Sequence, residues 1–285
     1  MAFEKIQEFI TTGDGTPGTL LIPRLIMPEM IMEQTKALIP RELAARVWAP
    51  SQIQGPSFAI NLETPNTGIV RPTGEGAEVL LTSEDFTSIT FTPVKYGAAV
   101  RITREMMEDA QFDLFNLNIQ MVGRRFAENE NTLILTALDG AGNTVTGGAA
   151  ITVANITQGI LNLHNSDFNP TNLIIGYEVL NDLQNIDTFV EFQKVGNTEM
   201  LDKGFKGTIY GLNVVAFSTN AAPTTAYTRR AYVIDREKAY GIAIKRDITV
   251  ENFTMPTYDM EGAVVTQRIQ VQLLRSNAVS LITTT

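Results

Sequence analysis

The sequence predicts an α+β chain: β-structure on either side of one long helix, then a mixed unit of helices and strands. Three observations predict it. Period-2 alternation over 57–63 and again over 87–102 marks two strands, and a long polar stretch joins them. An apolar seam at helical spacing begins at Leu114, just after a capping aspartate. Beyond that helix, short apolar runs alternate with helical patterns.

Residues 1–45 read as an arm rather than a domain. Phe3, Ile6, Phe9 and Ile10 trace a short amphipathic helix, followed by glycines at 13–18 and then by "LLIPRLIMPEMIM". That apolar run is broken by Pro23, Arg24, Pro28 and Glu29, so it is too short to span a membrane. The acidic start "MAFEKIQEFITTGDG" has neither the basic n-region nor the apolar h-region of a signal peptide. Two placements stay open for the arm: packed on its own domain, or laid on a neighbour.

In "SFAINLE", Phe58, Ile60 and Leu62 share one strand face. On the return strand Ile89 and Phe91 take odd positions. After Pro93, Val94, Tyr96, Ala98, Val100 and Ile102 take even ones. Such a change of phase means a bulge or a change of surroundings, with Pro93 at the changeover. Between the strands runs "VRPTGEGAEVLLTSEDF". It carries charge at Arg71, Glu75, Glu78, Glu84 and Asp85, and apolar side chains at Val79, Leu80, Leu81 and Phe86. A two-stranded hairpin lacks a second layer to bury its apolar face. The simplest cover is another subunit; the alternative is a loop folded back on its own domain.

Thr103 opens a short acidic helix, "REMMEDA", and Asp113 caps a long one running to about Leu138. Leu114, Leu117 and Met121 begin its seam; Phe126, Leu133 and Ala137 continue it. At 1.5 Å per residue the helix spans roughly 38 Å, more strut than ordinary core helix. "DGAGNTVTGG" ends it. Over 143–245 the pattern is mixed: a helix at about 155–165, a buried strand "NLIIG", a helix "YEVLNDLQN", and strands "TIYGLNVVAFS" and "AYVID". From Asp247 the chain turns to β-structure, in "DITVENF", "VTQRIQVQLL" and "AVSLIT".

Composition narrows function by exclusion. With 22 basic against 31 acidic residues the net charge is −9, which argues against affinity-driven nucleic-acid binding but not against a protein that surrounds nucleic acid. The lack of cysteine removes disulfides, thiolate metal sites and thiol nucleophiles. "GDGTPG" matches a dinucleotide-binding pattern in letters only, since no strand precedes it and no phosphate-binding helix follows. The single histidine, His164, cannot build a histidine metal cluster and reads as an ordinary helix residue. No catalytic, cofactor or metal residue is assigned, and no enzyme activity is expected.

The order of short arm, acidic hairpin, "RITREMMEDAQFDL" into a long helix, "ALDGAG", α/β unit and closing strands resembles the major capsid proteins of tailed double-stranded-DNA viruses, the Hong Kong 97-type fold. The stretch 94–142 carries most of the resemblance, and "IYGLNVVAFSTNAAP" adds a second marker. The resemblance implies a peripheral domain at 46–62, 87–142 and 246–285, with a spine helix at 113–138. It implies an axial domain at 143–245, an extended loop at 63–86 and an N-terminal arm at 1–45. The extended loop would lie across the next subunit, with Arg71, Glu75, Glu78, Leu80, Leu81, Glu84, Asp85 and Phe86 as its interface. Gly68, Gly74 and Gly76 would let it flex among non-equivalent positions. The implied function is a structural protein whose pentamers and hexamers build an icosahedral shell around double-stranded DNA, without sequence-specific contacts. It would be made in the host cytoplasm and reside in the virion, with no membrane partner; scaffold, portal or decoration proteins are further partners the family can have.

Two departures stand out. Some members carry a long N-terminal scaffolding segment, and here only a short arm precedes the fold. The namesake type joins subunits through a lysine of the extended loop, and residues 63–86 hold none. An alternative within the same fold is an encapsulin-like compartment holding cargo enzymes, with "MAFEKIQEFI" as a cargo-side helix.

Overall fold

The computed structural model describes residues 36–64, 72–79, 85–109, 113–186, 207–218 and 223–284. Its strands are β1 (Arg46–Trp48), β2 (Phe58–Thr64), β3 (Asp85–Phe91), β4 (Val94–Thr103), β5 (Asn143–Thr146), β6 (Asn172–Gly176), β7 (Thr208–Ile209), β8 (Leu212–Phe217), β9 (Arg230–Ile234), β10 (Tyr240–Met255), β11 (Met260–Leu273) and β12 (Val279–Thr283). Its α-helices are α1 (Arg104–Asp109), α2 (Leu114–Leu138), α3 (Val153–His164) and α4 (Tyr177–Gln184). The strands make a four-stranded sheet in the order β1-β10-β11-β4, a six-stranded sheet β5-β12-β9-β6-β8-β7, and a separate pair β2-β3.

The spine, α2, begins at the predicted cap. The Asp113 carboxylate accepts the backbone N–H of Asn116 at 3.0 Å, satisfying a donor that the first helical turn leaves free. That bond, joined by one from the Asn116 side chain, holds the Asp113 carboxyl below its ordinary range. Burial then sets in only halfway along, at Phe126, Glu130, Asn131, Ile134, Leu135 and Leu138. The predicted seam fails as a core seam over the first half: Leu117 is half-buried and Met121 is 41 % exposed. The helix is longer than the core it serves.

That core is shared by both large sheets. One cluster joins Ile134, Leu135 and Leu138 of the spine to Ile242 and Ile269 of the four-stranded sheet and to Ile174, Tyr232 and Leu281 of the six-stranded one. A second cluster covers the other face of the six-stranded sheet. There Ile156 and Leu163 of α3 and Val179 and Leu183 of α4 meet Leu173, Ile175 and Val233. Alternate residues of β6 thus enter different cores, which is why every residue of "NLIIG" is buried.

Of the arm at 1–45, residues 36–45 pack on their own subunit. Ile39 and Leu43 are buried in the shared core. The Ile39 N–H donates to Asn131 Oδ1 at 3.0 Å. Arg41 grips Glu130 with two prongs, Nε to Oε1 at 2.5 Å and Nη2 to Oε2 at 2.6 Å. The carboxylate raises the Arg41 guanidinium above its ordinary value, chiefly through these hydrogen bonds. Over 36–45 the own-domain packing is found. Residues 1–35, including the helix expected at Phe3–Ile10, lie outside the described residues.

Three expected boundaries shift. "TIYGLNVVAFS" is two strands, because Tyr210 (φ 49°) and Gly211 (φ 82°) turn the chain between β7 and β8. β10 starts at Tyr240, so the division at 245 and 246 falls inside a strand. β12 pairs antiparallel with β9 and parallel with β5, which places Val279–Thr283 in the six-stranded sheet and not beside β11.

Candidate assembly surface: the two-stranded arm and its root

Pro93 does separate two surroundings. Among the described residues β3 pairs only with β2, whereas β4 pairs with β11 in the four-stranded sheet. β2 and β3 run antiparallel from Phe58↔Phe91 to Thr64↔Asp85, so Phe58, Ile60 and Leu62 face Phe91, Ile89 and Thr87. Thr64 and Thr87 hydroxyls share a hydrogen bond at 2.7 Å near the outer end.

The root of this arm is built from aromatic rings. Phe58 stacks on Phe91 with centroids 5.1 Å apart and planes 9° from parallel. Trp48 tilts against both, at 5.6 and 5.2 Å. Trp48 can sit there because β10 carries a glycine beneath it: a Cβ on Gly241 would lie 2.4 Å from Trp48 Cζ3. Polar fasteners surround the rings. Lys245 Nζ donates to Gly55 O and the Thr92 N–H donates to Gln270 Oε1; at the other end of β2, Arg275 Nη2 donates to Glu63 O.

Away from the root the support fades. On one face Phe91 is fully buried, Ile89 half-buried and Thr87 exposed; on the opposite face Phe86 is 69 % exposed. Residues 72–79 are all exposed, with Glu75 and Glu78 among them and Val79 at 71 %. The Ala77 N–H donates to Gly74 O at 3.1 Å, closing a turn that needs Gly76 at φ 78°. Beside the arm lies a cleft of about 400 Å3 between Leu62 and Ile89 on one wall and Phe168 and Arg275 on the other. The structure thus brings Glu75, Glu78, Gly74 and Gly76 together at one tip, with Phe86 below them. The backbone of Asp85 belongs to β3. Gly68, Arg71, Leu80, Leu81 and Glu84, and the side chain of Asp85, lie outside the described residues.

Trp48, Gly241, Lys245, Gln270 and Arg275 were not legible as arm residues. Lys245 and Arg275 reach carbonyls 190 and 212 positions away, and no local pattern marks such a bond. His164 is exposed as the last residue of α3. No helix among the described residues is long and apolar enough to cross a membrane.

A spine helix, two sheets sharing its core and a root-anchored arm are the features expected of the Hong Kong 97-type fold. The profile of the phage capsid family matches residues 18–284. The chain belongs to that family. Solved capsid structures agree with it at low identity. The mycobacteriophage Che8 structure matches with a TM-score of 0.74 and 15% identity, covering 92% of this chain and 97% of that one. The capsid of cyanophage P-SCSP1u matches at 0.69 and 13%, covering 95% of each chain. The mature capsid of bacteriophage PhiM1 matches at 0.65 and 12%, covering 90% and 91%. No curated protein matches the chain. The fold is the Hong Kong 97-type, and the subunit is a phage major capsid protein of an icosahedral shell.

Proposed function

We propose that this capsid subunit closes its shell by laying the β2-β3 arm across a neighbouring copy, and that the shell encloses double-stranded DNA without sequence-specific contacts. One observation carries the reading: on the ribbon face that holds Phe91, burial falls from complete at Phe91 to half-buried at Ile89 and exposed at Thr87, while Phe86 on the opposite face is left 69 % exposed. Exposed apolar side chains on a two-stranded ribbon call for a second layer, and another copy supplies it. The six-stranded sheet with α3 and α4 serves as the axial domain around five- and six-fold axes. The four-stranded sheet and α2 serve as the peripheral domain. A net charge of −9 suits a wall that surrounds DNA without adhering to it.

Sedimentation and negative-stain microscopy of the expressed chain test this. Closed particles or capsomers are expected; a folded monomer at every concentration and salt would overturn it. With no lysine in residues 63–86, particles boiled in detergent are expected to run as single chains rather than a covalent ladder. Nucleic acid as the content of native particles supports a genome shell, and protein cargo supports an enzyme compartment.

A further inference from the structure

On the face of the four-stranded sheet turned away from the spine, three cations line up across three adjacent strands. Lys95 of β4 pairs with Arg268 of β11, and Arg268 pairs with Arg246 of β10. Directly opposed residues share a sheet face about 5 Å apart, and like charges in that position are destabilising. Lys95 and Arg246 are exposed, and Arg268 is half-buried. Arg268 donates to the Pro93 carbonyl at 3.3 Å, but its Nε is buried without a partner. Among the described residues none of the three is ion-paired, although acidic residues outnumber basic ones in the chain. Arg246 also sits between two register shifts of β10, irregularities of the kind that re-aim a side chain.

We infer that this basic row is the seat for the acidic arm tip of a neighbouring copy, with Glu75 and Glu78 as the counter-charges. The inference rests on the arm reading above and deepens it by naming the receiving surface. Pro72–Val79 holds Glu75 and Glu78 and neither lysine nor arginine, and all of it is exposed. Among the described residues neither Glu75 nor Glu78 is ion-paired. The row lies one same-face step from Gln270, which holds Thr92 at the arm's root. The tip lies beyond Thr64, about 20 Å out along β2 at 3.3 Å per residue. An acidic tip far from its own basic row, in a self-assembling chain, matches the row of the next copy.

The test uses the full chain assembling in vitro and five variants. Lys95→Glu with Arg246→Glu should raise the concentration needed for assembly by about tenfold at low salt, as should Glu75→Lys with Glu78→Lys. All four changes together should return assembly to near wild type, because the pairing is restored with its signs exchanged. Lys95→Gln with Arg246→Gln guards against misfolding. Relief of like-charge repulsion should leave its melting temperature unchanged or higher, and its assembly should converge on wild type in high salt. If the fourfold variant assembles no better than either double variant, the inference is overturned. If the Lys95→Glu, Arg246→Glu protein forms shells normally but loses salt-sensitive binding of duplex DNA, the row faces nucleic acid and the inference is likewise overturned. An arm shortened at 71–81 that still assembles normally would sink the arm reading itself. A shortened arm that fails while the basic-row variants assemble normally would sink only the assignment of the seat.

Discussion

The six-stranded sheet and the two-stranded arm are both β-structure, and they stand at opposite ends of self-sufficiency. Every residue of β6 is buried, since helices α3 and α4 cover one face of its sheet and the spine's core covers the other. The β2 strand alternates between half-buried and exposed, and no residue of it is fully buried. One region completes its layers within the chain; the other completes them only at its root. On the arm reading, the contrast marks where the subunit stops and the shell begins: the apolar side chains left on a bare ribbon are the ones another copy would bury.

Substitutions can break this comparison, beginning with the largest effect on the subunit. Leu173→Ala, in the middle of β6, should cost about 2–5 kcal/mol of stability, the usual cost of an unfilled core cavity. Leu62→Ala, on the arm, should cost the monomer under about 1 kcal/mol, because its side chain is only half-buried and borders an open cleft. Equal losses in chemical denaturation would erase the distinction between the two regions.

A middle-sized effect tests the segment between them. Glu130→Gln breaks a two-pronged pair in which Glu130 is buried and Arg41 is 41% exposed on its side chain. Solvent screens part of that pair, so the expected loss is about 1–2 kcal/mol. Proteolysis should then cut first at 36–43, as Ile39 and Leu43 lose their hold. An unchanged digestion pattern would mean that apolar burial alone pins this segment.

The smallest effect belongs to one charge of the arm. Arg71→Glu should weaken assembly only modestly, by about 0–1 kcal/mol per contact, and the difference should shrink in high salt. Light scattering during assembly across a salt series would show it. A salt-independent loss would point to packing at Arg71 instead of charge.

Much of the fold was legible because its signals are local. Asp113 caps the spine where the sequence places the cap, and Pro93 parts two strands where the alternation changes phase. What escaped was non-local. Tyr240–Ile244 is buried throughout, so it shows no alternation to mark a strand. The sheet that β12 joins depends on strand pairing, which its five residues do not encode. Met121 fits a helical seam by spacing, but spacing cannot say where the core ends. At the arm, alternation at Phe58–Leu62 and the acidic glycine-bearing tip were readable, while the basic row required the register of three strands far apart in sequence.

On the arm reading, the subunit should fold without its arm tip and assemble only with it. Sedimentation velocity of a chain whose residues 71–81 are replaced by a short Gly-Ser turn, read beside its thermal unfolding, tests that most directly. The expected result is a monomer with a near-native melting temperature and no particles under conditions where the parent chain forms shells. Normal shells from the shortened chain would contradict the arm's role, and a chain that no longer folds would place residues 71–81 in the subunit's own core.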